Sequence, residues 1–263
     1  MNRLIKASLL RMKKSKTFLF SVIFQIGFAL FVIIPTYGTG FSIGNMMIAD
    51  SLISMLLSTL FVPFFLHDDH HKGMMRNKII TGHTRTQIYA SNYISALIGS
   101  SVIFIVPIIV AFALAPFFGG HIGVTAAEFA FRLITTLAAN GAMCGIYVWT
   151  AFLCRNWGSA ASFFIAFAMF IVSIFCTLII ESPEDAAEIF ESFETIGISV
   201  TVDPSSALNK ALYDVLPTSH LVRIMVSEHI QIRDIAFLPF YSVLVIAVTV
   251  IAGVLLFRRK DLK

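Results

Sequence analysis

The sequence predicts an all-helical, polytopic membrane protein, and three observations lead there: an apolar composition, six continuous apolar runs, and charges confined to the stretches between them. Of 263 residues, 57% are hydrophobic and only 13% are charged, with a mean hydropathy of +0.86. A soluble domain of this length needs a charged surface over its core. Here the charges come in bursts, which mark aqueous loops. The runs are continuous rather than alternating, which excludes a closed β-barrel, the other structure able to span a bilayer.

The chain opens on a basic segment, 2–16, in which Ile5, Leu9 and Met12 share one helical face while Lys6, Lys13 and Lys14 look elsewhere. It reads as an amphipathic helix on the inner leaflet or as a plain basic topology signal. A crossing takes roughly 20 helical residues, and six runs supply it: 18–37, 46–66, 89–118, 129–153, 160–180 and 235–257. The first has basic residues before it but no small-residue cleavage site, and it is too long for a signal peptide, so it is expected to remain as a span. The third carries Pro107 and Pro116, which mark either a hinge or the end of the helix. In the fourth, Glu128 and Arg132 stand four residues apart, a spacing that pairs on one helix face. Gly141 and Gly145 farther along make a GxxxG spacing that lets another helix come close.

The stretch 181–234 is the one long polar segment, with ten acidic against three basic residues. Ile189, Phe193 and Ile196 at helical spacing predict a short amphipathic helix near the surface. Pro217, Thr218 and Ser219 are start signals for a second short helix through Leu221, Ile224 and Met225. No linker divides the chain, so 1–263 is read as a single transmembrane domain.

Orientation follows from lysine and arginine. With the N-terminus cytoplasmic, the inner side collects fifteen of the nineteen, leaving Arg132, Lys210, Arg223 and Arg233 outside. The positive-inside rule therefore places both termini in the cytoplasm, the loop 67–88 inside and the segment 181–234 outside. Cys144, Cys154 and Cys176 lie in or beside spans and imply no disulfide framework. The basic residues flank apolar runs, where anionic lipid attracts them, so no nucleic-acid partner is expected and membrane lipid is.

The chemistry-bearing motifs are few. Nothing matches the GxxxxGK[ST] phosphate cradle, so the chain does not hydrolyse ATP alone, and neither HExxH nor GxSxG occurs. No catalytic residue and no metal site is assigned. His67, Asp68, Asp69, His70 and His71 form a polar cluster that either ends the second span or offers imidazole and carboxylate to a metal. Strongly polar residues inside spans are costly and face protein or water. Asp50 and Asn140 are on that ground the candidates for a translocation path.

The loop 67–88 carries Gly73, then Arg76, then Gly82 and Arg85 in a Gly-x-x-Arg turn before the third span. In this pattern, and in its order of basic start, six spans, long external segment and basic tail of Arg258, Arg259 and Lys260, the chain resembles the permease subunits of type-2 ABC exporters. Members often carry a glutamate just before the glycine, where this chain has His71 and Lys72. The resemblance implies a bacterial inner-membrane protein whose loop, through Gly73, Arg76, Gly82 and Arg85, forms a coupling helix docked on a separate ATPase. It also implies two ATPase copies, a second permease copy or homologue, no cofactor on this chain, ATP and Mg on the ATPase, and export of a peptide, antimicrobial, drug or lipid. The alternatives are a membrane scaffold or sensor subunit that transports nothing, or an intramembrane enzyme.

Overall fold

The computed structural model describes residues 2–71, 74–153, 158–181, 206–226 and 236–259. Its helices are α1 (Asn2–Lys13), α2 (Lys16–Ile33), α3 (Ile43–His71), α4 (Met74–Ile80), α5 (Arg85–Phe118), α6 (Ala126–Leu153), α7 (Gly158–Glu181), α8 (Ala207–Val215), α9 (Pro217–Val226) and α10 (Leu238–Arg259). Among the described residues six of these, α2, α3, α5, α6, α7 and α10, contain a stretch long and apolar enough to cross a membrane. The protein is an all-helical, multi-pass membrane protein. Gly73 and the expected helix around Ile189, Phe193 and Ile196 lie outside the described residues, as do the side chains of Arg76 and of Asp68 to His71.

Several helices start ahead of their apolar runs, at Ile43, Arg85 and Ala126. Hydropathy marks the part that crosses hydrocarbon, whereas the start is set by polar caps in the head-group zone. At α5 the cap is Thr84: its hydroxyl accepts from the Gln87 N–H, and the Gln87 side chain accepts from the Thr84 N–H, a reciprocal capping box. The helix then runs unbroken through Pro107 and Pro116 to Phe118. Its 34 residues measure about 51 Å at 1.5 Å per residue.

Helices α3 and α6 form the centre. Their spanning windows are 61% and 56% buried, against 28% for α2 and α7 and 17% for α10. The outer three turn residues such as Phe24, Phe164, Phe167, Val243 and Val248 outward, as helices bathed in lipid do. The predicted GxxxG is where α10 meets α6: a methyl added at Gly145 would come within 2.5 Å of Thr249 Oγ1. Helix α10 also closes on α5, where a methyl at Gly253 would collide with Tyr89 Oη.

The two ends of the bundle are closed differently. At one end α1 packs on α5 with Leu4, Ser8 and Met12 buried, and Met12 joins Phe61, Phe65, Tyr89 and Phe257 in the main core. Helix α1 thus lies against protein along its inward face rather than on lipid alone. At the other end the loops after α2 and α5 are stitched by backbone bonds, Ile43 N–H to His121 O at 2.8 Å and His121 N–H to Phe41 O at 2.9 Å.

Helix α9 starts at Pro217, where the start signals put it, and it is largely buried. Pro217 to Val222 are all buried, and α9 packs on α3, α6 and α7. The Thr218 hydroxyl donates to Met169 O at 3.1 Å and lies 2.5 Å from Ser173 Oγ. Met169 is midway along α7, so α9 packs against the side of α7 rather than at its end. The buried Thr218 hydroxyl is accommodated because α7 supplies its partners. Helix α8, which no sequence signal marked, precedes it and packs on α7 and α9.

Candidate functional site

The basic end of the bundle assembles the loop singled out by the Gly-x-x-Arg pattern. Between α3 and α5 stands α4, a helix of seven residues in contact with both. It ends in a Schellman motif: Gly82 N–H bonds to Ile79 O at 2.9 Å and His83 N–H to Lys78 O at 3.2 Å. The motif requires a left-handed residue at its turn, and Gly82 supplies it with φ of 88°. Gly82 therefore has a backbone role, and its neighbours Asn77, Ile80 and Thr81 are exposed on the same helix end.

Arg85, one turn of chain beyond, is engaged inside the protein. Its Nη1 donates to Phe257 O, in the last turn of α10, at 3.2 Å. A cation at a helix C-terminus meets the free carbonyls and the negative end of the dipole. The arginine therefore ties the start of α5 to the end of α10. The loop is joined to α1 as well: Arg11 lies over the Phe65 ring, 4.4 Å from its centroid, and reaches Met74 Sδ at 4.0 Å. Lys78 donates to Asn92 Oδ1 on α5 at 3.4 Å. Burial, aided by the Arg11 charge, pulls the Lys78 pKa from 10.5 to about 8. Of the four residues in the pattern, Gly82 and Arg85 are thus placed in one ridge with α4, and the backbone of Arg76 lies within that helix.

The two polar residues assigned to a path fall in separate clusters. Asp50 on α3 accepts from Gln25 Nε2 on α2 at 2.6 Å, and the same amide reaches Ser54 Oγ at 2.6 Å. Asn140 on α6 donates from Nδ2 to Ser100 O on α5 at 3.2 Å. Both are buried. Asp50 Oδ2, Gln25 Oε1 and Asn140 Oδ1 have no hydrogen-bond partner. The predicted pair of Glu128 and Arg132 forms, at 2.5 Å.

Sequence reasoning missed His220, Ser173 and Ser242. His220 Nε2–H donates to Asp214 O at 2.8 Å, so its Nδ1 accepts from the Ser242 hydroxyl at 2.9 Å. The available signal was polar side chains within an apolar helical period, at Thr218, Ser219 and His220. Among the described residues no group of three His, Cys, Asp or Glu is placed to hold a metal ion. Cys144 and Cys176 are buried free thiols. No known family's sequence model matches the chain, and no curated protein matches it in sequence.

Proposed function

We propose that the chain is the membrane-spanning permease subunit of a type-2 ABC exporter, driven by a separate ATPase and oriented with its basic end in the cytoplasm. The observation that carries this reading is α4. It is a short helix closed by the Gly82 turn, exposing Asn77, Ile80 and Thr81, and braced by Lys78 on α5 and by Met74 against Arg11 of α1, while Arg85 just beyond it ties α5 to α10. A push on such an element reaches three helices, because its supports are hydrogen bonds and packed rings rather than a slack linker. ATP and Mg would be held by the ATPase, and this chain, with a second permease copy, would open outward as the ATPase dimer closes. The fifteen basic residues on the inner side support the orientation.

Within this reading the ATPase contact is assigned by which loop residues are left exposed. Arg85 is occupied by α10, so contact falls to the exposed end of α4 and to Arg76. The test is a double variant, Arg76→Glu with Ile80→Asp, in tagged protein purified from its native membranes. The parent is expected to carry an ATPase with it and to stimulate hydrolysis. The variant, still inserted and folded, is expected to lose both, since removing a docked charge costs about 2–5 kcal/mol. An inserted variant that retains its ATPase and full stimulation would overturn the coupling role. A parent that brings down no ATPase would overturn the exporter reading.

A further inference from the structure

Asp50 lies about two turns into α3 and is 0% exposed. Every group that faces it is neutral. Helix α2 contributes Gln25, α3 contributes Ser54, and α5 contributes Pro107, Ile108 and Ala111. From the other helices packed on α3, Arg132 is held by Glu128 on its own helix, Tyr147 is bonded to Thr59, and His220 is bonded to Ser242. No ion pair or other electrostatic contact reaches Asp50 from any described residue. Its Oδ2 is unpartnered, and Asp50 is one of the residues along a narrow gap between α3 and α5 that is lined otherwise by apolar side chains and does not admit a water molecule.

An ionised carboxylate without cation or water is costly at this depth. A carboxylic acid is neutral there. Gln25 Nε2 lies 2.6 Å from both Asp50 Oδ1 and Ser54 Oγ. Gln25 Nε2 donates to Asp50 Oδ1, which leaves Oδ2 as the oxygen that carries the proton.

We propose that Asp50, with Gln25 and Ser54, is a proton-binding site inside the bundle, holding its proton while α3 and α5 are packed and releasing it when they part. Pro107 marks the place where they would part. It lines the gap, and its missing N–H leaves the Ile103 carbonyl unbonded within α5, the usual origin of a bend. On opening, the carboxyl O–H bond breaks, the proton passes to the entering water, and the carboxylate left behind is hydrated. The inference goes beyond the exporter reading and stands without it.

The test uses the full-length protein in lipid nanodiscs. Infrared spectra at neutral pH are expected to contain the C=O stretch of a protonated carboxyl that is lost in Asp50→Asn, a variant isosteric with the neutral acid and expected to melt like the parent. Absence of the band from the parent, or its persistence in Asp50→Asn, would overturn the proposal.

Discussion

His220 acquires its state entirely from its neighbours. Burial is the largest influence and pulls its pKa from 6.5 to about 4, with Arg223 adding to the pull while the carbonyl and charge of Asp214 oppose it. The neutral ring is saturated, one nitrogen donating to Asp214 O and the other accepting from Ser242. Between the two values the unfolded chain binds a proton that the folded one does not, so stability rises with pH across this window. The protein is expected to lose stability as pH falls from 6.5 toward about 4. His220→Gln should flatten that slope and lower stability at neutral pH by about 1–3 kcal/mol through the partners it strands. Melting temperature against pH, for parent and variant in detergent, reads both effects, and identical slopes would refute the assignment.

Among the elements, α10 depends most on small residues opposite it. It is the least buried span, and it is seated by the absence of side chains at Gly145 of α6 and at its own Gly253 against Tyr89. Gly253→Ala is expected to destabilise by about 1–3 kcal/mol through overpacking, although alanine ordinarily favours a helix. Gly27→Ala on α2, where nothing lies within 4 Å, should be neutral or mildly stabilising. Adding Tyr89→Phe removes the oxygen that the new methyl meets and should restore part of the loss, a coupling measurable as a double-mutant cycle of melting curves. Equal effects of the two alanine substitutions would contradict the close approach. Helix α9 makes the complementary point: its polar face finds partners only because α7 and α10 offer hydroxyls and carbonyls at the right level.

For the whole molecule the charge distribution sets the proposed orientation. Helix α4 and the start of α5 share the end where α1 packs, and α8 belongs to the segment between the last two spans. In a chain lacking Cys144, Cys154 and Cys176, a cysteine placed at Leu208 should react with an impermeant thiol reagent in intact cells. One placed at Asn77 should react only after the membrane is opened. Both positions are exposed on the protein surface, so a reversed pattern would invert the topology rather than report burial.

What the sequence alone determined is what depends on local pattern and on the thickness of a membrane. The six spans, the basic helix at the start, the Glu128–Arg132 pair and the start of α9 at Pro217 are all written within a few turns of chain. Their boundaries drifted by a few residues because caps such as Thr84 sit outside the apolar run. Tertiary structure decided everything that joins residues distant in sequence. It turned α9 inward, assigned α10 to the GxxxG face, gave Arg85 to Phe257 O, and put Asp50 beside Gln25 while placing Asn140 with Ser100. The physical reason is that hydropathy states how much a residue gains by leaving water, whereas a buried polar group is stable only where another helix brings its partner, and that meeting is set by packing.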